Sequence, residues 1–263
     1  MTPERALRRI VPQGYEINDF AKEESWRMFR IMGELIGGFD RLSGVEPAVT
    51  IYGSARIRPD DPLYATTEEI ARRLGKLGFS IITGGGPGVM EAANKGALSA
   101  GVTSVGLNID LPEEQRVNQY TTLSIEFNHF FVRKVMLAKY ATAFIAMPGG
   151  LGTLDEVTEI LCLIQTHKMR PFPVILFDSA YWTGLLDWMR QNTVAKGYIE
   201  DEDLSLLAVC DSVDEVVKAV HEWYSRQQLV ARRALHPRGQ KVEVRSRATK
   251  RDASHSGEKE GPK

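Results

Sequence analysis

Short apolar runs alternate with longer stretches in which apolar residues recur every three or four positions. The short runs predict strands at residues 48–52, 80–83, 103–109, 121–127, 143–147, 172–177 and 204–209. The longer stretches predict helices at residues 17–42, 61–77, 89–100, 129–140, 154–169, 179–195 and 213–223. This alternation predicts the α/β class, with a single Rossmann-like, doubly wound parallel sheet preceded by an N-terminal helical extension.

The pattern divides the chain into three parts. Residues 1–45 form the N-terminal helical extension, residues 46–225 the Rossmann-like nucleotide-binding domain, and residues 226–263 a tail. The N-terminal helix is broadly apolar, so it either covers the sheet or packs against another subunit, and we favour the second for part of it. The tail has eleven Lys/Arg against four Asp/Glu, which predicts disorder. A nucleic acid or an acidic partner could bind it, but a solvated extension is the preferred interpretation.

Composition narrows the class of protein further. Hydrophobic residues make up 43% of the chain and charged residues 25%, as in ordinary globular proteins. The sequence has no apolar run of membrane-spanning length and no apolar signal core at its start, so we expect a cytoplasmic protein. Cys162 and Cys210 have neither disulfide nor metal-ligand spacing, and Cys162 lies in an apolar helix stripe that predicts a core position. We expect no metal and no organic cofactor.

A glycine-rich turn follows the predicted strand at residues 143–147. Pro148, Gly149, Gly150 and Gly152 interrupt the regular backbone, and Thr153 is then a candidate N-cap with Glu156 in the capping-box position. Such a turn leaves several N–H groups unpaired at the positive end of a helix dipole, which favours a phosphate site. Capping alone is an alternative role for Glu156.

Two further turns should lie at the same edge of the sheet. The segment 84–88 reads Gly-Gly-Gly-Pro-Gly after the strand at 80–83, and Gly53-Ser54-Ala55-Arg56 follows the first strand. In open parallel sheets, ligands bind at the carboxyl ends of the strands. Neither of the two glycine-rich motifs matches Gly-x-Gly-x-x-Gly or a P-loop, which disfavours dinucleotides and triphosphates. Arg56 is either a clamp for a base or phosphate or a surface residue.

Arg133 and Lys134 lie close to the start of the helix at residues 129–140. The helix dipole favours acidic residues at that end, so two adjacent cations there break a local rule. A local rule broken without visible compensation is often a sign of function.

Two motifs together resemble those of the LOG family of cytokinin riboside 5′-monophosphate phosphoribohydrolases. They are Gly-Gly-Gly-Pro-Gly-Val-Met-Glu-Ala-Ala-Asn-Lys-Gly-Ala at residues 84–97 and Pro-Gly-Gly-Leu-Gly-Thr-Leu-Asp-Glu at residues 148–156. The resemblance covers about residues 48–222, and the N-terminal helix and the turn at residues 53–56 are similar to those of the larger bacterial members. It implies a catalytic arginine at Arg133, an acidic ribose contact at Glu114 rather than Glu113, and at least a dimer with sites near the subunit boundary.

The hypothesis is therefore hydrolysis of the N-glycosidic bond of a purine nucleoside 5′-monophosphate, with the identity of the base left open. Glu156 would stabilise the oxocarbenium-like sugar and activate water, and Arg133 would position the nucleotide or assist the departing base. Lys134 would neutralise phosphate. Glu91 would either contact the ligand or be an acidic residue of the kind favoured at the N-terminus of its helix. The predicted substrate-binding residues are Gly53, Ser54, Arg56, Gly85, Gly86, Gly88, Glu91, Glu114, Lys134, Gly149, Gly150, Gly152 and Thr153.

Hydrolysis has two alternatives. A nucleotide or molybdenum-cofactor carrier of the same fold stays open. Lysine decarboxylation is disfavoured, because His167-Lys168 is the only His-Lys pair and lies at a helix end, where the dipole explains its charge.

Overall fold

Seven parallel strands form one sheet in the computed structural model, which describes residues 24–110 and 117–235. The strands are β1 (Ala48–Tyr52), β2 (Ser80–Thr83), β3 (Ser104–Ile109), β4 (Leu123–Phe127), β5 (Ala141–Ala146), β6 (Val174–Phe177) and β7 (Leu207–Cys210). Their order is β4-β3-β2-β1-β5-β6-β7. The α/β class and the doubly wound parallel sheet are therefore confirmed.

Eight α-helices are present in the described residues. They are α1 (Glu24–Leu42), α2 (Pro62–Lys76), α3 (Val89–Ser99), α4 (Phe130–Lys139), α5 (Leu151–Gln165), α6 (Ser179–Trp188), α7 (Asp201–Leu204) and α8 (Val213–Leu235). A π-helical turn, Met189–Val194, continues α6. No helix within residues 24–110 and 117–235 has the length and apolar character needed to cross a membrane.

The helices cover both faces of the sheet because successive strand residues point to opposite sides. On β1, Val49 and Ile51 pack with α2, α3 and α8, whereas Ala48 and Tyr52 pack with α1, α4 and α5. A smaller apolar cluster centred on Trp182 lies between α5 and α6. The five inner strands, β1, β2, β3, β5 and β6, are buried on both faces, which explains why they read as nearly continuous apolar runs.

The chain reverses its direction across the sheet between β1 and β5. From β1 it builds outward through β2, β3 and β4, and then α4 returns it to β5 on the other side of β1. Adjacent loops diverge at such a switch point and leave a crevice outside the carboxyl ends of the strands. The turns after β1 and β5 border this crevice.

Several local predictions were wrong. The N-cap of α5 is Gly150, so Thr153 lies inside the helix and the predicted capping box is absent. Glycine can take the N-cap position without a side-chain hydrogen bond, which the residue pattern does not reveal. Cys162 is exposed because the buried stripe of α5 runs through Val157, Ile160 and Ile164 instead.

The predicted domain boundaries stay predictions, since residues 1–23 and 236–263 lie outside the described part. Of the N-terminal helix, residues 24–42 are described and helical. Helix α8 runs twelve residues beyond its predicted end at Trp223, so residues 226–235 are helical rather than disordered. Leucine, alanine, arginine and glutamine are strong helix formers, and this segment is rich in them.

Candidate active site

Three strand-to-helix turns meet at the carboxyl edge of the sheet. The Ser54 N–H donates to the Pro148 carbonyl at 3.1 Å, and the Val89 N–H donates to the Ser54 carbonyl at 3.0 Å. The turn after β1 is thus tied on one side to the turn before α5 and on the other to the start of α3. These hydrogen bonds fix the relative position of the three turns that the sequence predicts.

A cleft of about 710 Å³ opens between these turns, within the range of small-molecule sites. Eight predicted site residues line it: Gly53, Ser54, Arg56, Arg133, Gly150, Gly152, Thr153 and Glu156. The other lining residues are Ile51, Tyr52, Ala55, Gly84, Met90, Ile109, Phe130, Leu137 and Leu151. The walls are therefore mainly apolar, with a few polar side chains and the N-terminus of α5.

Two glycines are required by close packing in these turns. Gly88 has φ +70°, and a Cβ there would lie 2.5 Å from the Ser54 carbonyl oxygen. A Cβ at Gly149 would overlap Thr153 Oγ1 and lie 3.0 Å from the Ser54 nitrogen. The contacts between turns therefore need the absence of side chains at both positions.

Arg133 and Glu156 face each other in this cleft. Arg133 Nη2 lies 3.4 Å from Glu156 Oε1, and the two side chains are 14% and 8% exposed. The guanidinium carbon of Arg133 also lies 5.4 Å from the centre of the Phe130 ring. Because α4 and α5 both begin at the carboxyl edge, residues early in each helix reach the same space.

Burial governs the ionisation of this pair. It raises the pKa of Glu156 from 4.5 to about 7, against the opposing attraction of Arg133 and Lys134. Burial also lowers the pKa of the Arg133 guanidinium, with Glu156 acting in the opposite direction. The 3.4 Å contact is long for a charge-assisted hydrogen bond and offsets only part of the cost of desolvation. Glu156 consequently exchanges its proton near neutral pH, as suits a general base.

Two predicted ligand residues make other contacts. Lys134 Nζ lies 2.7 Å from Asp155 Oδ2 and 3.2 Å from Glu159 Oε2, which connects α4 to α5 outside the cleft lining. Glu91 Oε1 accepts a hydrogen bond from the Tyr64 hydroxyl at 2.9 Å. Burial, and after it that hydrogen bond, raises the pKa of Tyr64.

The remaining glycines of the predicted site lie behind the lining. The Gly85 N–H donates to Thr83 Oγ1 at 3.0 Å, and Asn118 donates to the Gly85 and Gly86 carbonyls. Asn118 itself is fixed by Asn94 in a buried polar network. Gly84 rather than Gly85 reaches the cleft, and Glu114 lies outside the described residues. Substrate contact by these residues stays a prediction.

Apolar lining residues were missed by the sequence interpretation. Leu151 is 85% exposed at the first position of α5, and Phe130 is 51% exposed at the start of α4. Both lie beside motif residues, and that proximity was the signal available in the sequence. Within residues 24–110 and 117–235, no three potential metal-ligating side chains are grouped.

Comparisons with known proteins match the part of the chain that forms this site. A family model described as possible lysine decarboxylase matches residues 90–220, which include both Arg133 and Glu156. A cytokinin riboside 5′-monophosphate phosphoribohydrolase of Rhodococcoides fascians is 28% identical over 160 residues, covering 58% of this chain and 78% of the relative. The enzyme of that name called LOG1 in Arabidopsis thaliana is 26% identical over 166 residues, covering 62% and 77%.

Two solved structures are similar to this chain. The X-ray structure of TM1055, a structural genomics target, superposes with a TM-score of 0.52 at 25% identity, covering 66% of this chain and 98% of the other. The molybdenum cofactor binding protein of Rippkaea orientalis gives 0.48 at 20% identity, covering 67% and 95%. A similarity as distant as the second carries no argument about function.

The fold and the site together define an α/β protein with a nucleotide-sized cleft at the switch point of a parallel sheet. Within that class, the two glycine-rich motifs indicate a resemblance to the LOG family. The family model and the named relatives confirm this resemblance.

Proposed function

We propose that this protein is an N-glycosyl hydrolase that cleaves purine nucleoside 5′-monophosphates to the free base and ribose 5-phosphate. The observation that carries the proposal is the pairing of Arg133 with Glu156 in a cleft bordered by glycine-rich turns. The names of the relatives support the same reaction class.

Glu156 performs the acid–base step in this proposal. Cleavage of the C1′–N bond passes through an oxocarbenium-like sugar, which a nearby carboxylate stabilises. Water attacks C1′ and gives a proton to Glu156, and the base leaves with the bonding electrons and takes up a proton. A carboxyl group with a pKa of about 7 is suited to accept and release that proton near neutral pH.

Arg133 acts through its charge and its hydrogen bonds. Its guanidinium keeps its proton at any ordinary pH, so it orients the nucleotide and stabilises charge on the departing base rather than acting as an acid. The first N–H groups of α5, from Gly150 to Thr153, have no partners within the helix, so they are the groups that would bind the phosphate.

A carrier that binds a nucleotide or the molybdenum cofactor without cleaving it is the alternative. The Arg133–Glu156 pair favours the enzyme, because binding alone does not need a buried carboxylate that titrates near pH 7. Decarboxylation of lysine through Lys168 is disfavoured, since that residue lies beyond Gln165, the last residue of α5, which is roughly 13 Å along the helix axis from Glu156.

The test is incubation with AMP and with isopentenyladenosine monophosphate, followed by chromatography for free base. The wild-type protein should release base from one of them, and Glu156→Gln should not. Asp155→Asn, which changes the exposed neighbouring carboxylate, should retain turnover. Saturable binding without release of base from either nucleotide would favour the carrier.

We also propose a homodimer or larger assembly. The face of α1 that carries Trp26, Phe29 and Ile36 is exposed, with each of these side chains at least 64% accessible. Apolar surface of that extent is typical of an interaction site. A cytoplasmic location is proposed as well, on the absence of disulfide spacing between the two cysteines.

A further inference from the structure

Two buried polar atoms beside Glu156 have no hydrogen-bond partner in the described part of the chain. They are the hydroxyl oxygen of Tyr52 and Nε of Arg133. Tyr52 is 5% exposed, ends β1 directly before the Gly53 turn, and stacks parallel to Phe144 with ring centres 6.3 Å apart. Because an unpaired buried hydroxyl destabilises the fold, its presence at the end of a cleft strand requires an explanation.

The surroundings of Tyr52 contain carboxylates that can accept its proton in a hydrogen bond. Burial raises the pKa of Tyr52 well above its ordinary value, and the charges of Glu156 and Glu159 raise it further, so the hydroxyl stays a donor. Glu159 is already paired with Lys134, whereas Glu156 has a single long contact with Arg133. Glu156 is thus the carboxylate that can accept a further hydrogen bond. The charges that act on the Glu156 carboxylate are those of Arg133 and Lys134 from α4 and of Asp155 and Glu159 from α5.

We propose that Tyr52 is a positioning residue whose hydroxyl donates a hydrogen bond to the Glu156 carboxylate when a nucleotide occupies the cleft. This inference rests on the proposed function. Hydrogen bonds of catalytic groups are often long before substrate binds and shorten in the complex. A donor beneath the carboxylate fixes its orientation towards C1′ and favours its ionised form, which is the form that accepts a proton from water.

The variant Tyr52→Phe tests this role because it removes one oxygen atom and keeps the ring that stacks on Phe144. Without nucleotide, the variant should melt at or above the wild-type temperature, since no hydrogen bond is lost and an unpaired buried hydroxyl is removed. With saturating AMP, it should be stabilised less than the wild type. Its kcat/KM should fall roughly tenfold to a hundredfold, the usual effect of losing a hydrogen bond to a charged group.

The pH profile separates positioning from a merely structural role. Without its donor, Glu156 in the nucleotide complex should have a higher pKa, so the acid limb of the kcat profile, which reports groups in that complex, should move upward and the loss of kcat should be larger at pH 6 than at pH 8. Tyr140→Phe is the matched control. Tyr140 is a buried tyrosine of the same core cluster, but its hydroxyl already donates to the Phe39 carbonyl at 3.3 Å. That variant should lose some stability and keep the wild-type kcat/KM and pH profile.

The outcomes distinguish this inference from the proposed function. Wild-type kcat/KM and pH profile in Tyr52→Phe would overturn the inference and leave the hydrolase intact. If the wild-type protein releases no base but AMP stabilises it more than Tyr52→Phe, the hydrolase fails and the coupling of Tyr52 to the bound nucleotide stands. Equal stabilisation of both proteins by AMP, or none of either, would overturn the inference.

Discussion

Replacing Glu156 with glutamine should make the protein more stable at alkaline pH. The side chain is 8% exposed, and burial raises its pKa from 4.5 to about 7. Above pH 7 the folded protein therefore contains a poorly solvated carboxylate, whereas the unfolded chain exposes the same group to water. Glutamine has nearly the same shape without the charge, so Glu156→Gln removes this cost.

The magnitude follows from the linkage between the pKa and stability. A difference of one in pKa is equivalent to 1.36 kcal/mol, so the rise from 4.5 to about 7 costs the folded state about 3 kcal/mol at pH 8. A raised folded pKa means that the stability is fully present below pH 4.5 and is lost as the pH rises through 7. Because the attraction of Arg133 already lowers this pKa, the value of about 3 kcal/mol includes the loss of that partner.

Urea unfolding at a series of pH values from 4.5 to 8 measures this difference. The free energy of unfolding of Glu156→Gln should exceed that of the wild type at pH 8, and the excess should disappear towards pH 4.5. Asp155→Asn is the control, because it makes the same change from carboxylate to amide at the neighbouring position, where the side chain is 58% exposed. A variant that is no more stable at pH 8, or an excess that does not depend on pH, would refute the argument that Glu156 is strained by burial.

The remaining predictions concern the turns, the link between α4 and α5, and α1. Gly149→Ala should destabilise the protein and abolish AMP binding, because its Cβ would overlap Thr153; melting and calorimetric titration measure both. The Cβ added by Gly152→Ala would lie in open space, so this variant should stabilise α5 by about 0.5–1 kcal/mol yet weaken AMP binding. The Cβ added by Gly184→Ala would also lie in open space, and this variant should only stabilise the protein. Lys134→Met should lower the melting temperature through loss of its two ion pairs and leave the KM for AMP near the wild-type value. Ile36→Glu should reduce the mass measured by light scattering if the exposed face of α1 joins subunits.

The sheet and its carboxyl-edge turns could be predicted because their signals are local. Doubly buried strands are apolar at successive positions, and turns that must bring backbones together use glycine. The exact ends of elements were less predictable. The N-cap of α5 is Gly150 and not Thr153, since side-chain preference at a cap is weaker than the requirement for close packing at Gly149.

The direction of long side chains could not be predicted from their position in a motif. Lys134 was expected at the phosphate, and Glu91 either at the ligand or as an acidic residue at the N-terminus of its helix. Their partners, Tyr64 on α2 and two carboxylates on α5, become neighbours only through the tertiary fold. Tyr52 was missed for a related reason. A tyrosine in an apolar strand reads as core, and only its unpaired hydroxyl beside Glu156 distinguishes it.

The adjacent cations Arg133 and Lys134 therefore have different contacts, and helix geometry explains why. Successive residues of an α-helix point about 100° apart, so two neighbours near the start of α4 cannot both face the cleft. Arg133 faces Glu156 inside it, while Lys134 bridges Asp155 and Glu159 on the outer side of α5. Because both carboxylates belong to the helix that carries Glu156, the bridge holds α4 and α5 together beside the site. The broken dipole rule at this pair thus reflects one group that faces the proposed substrate and one that fixes the helices around it.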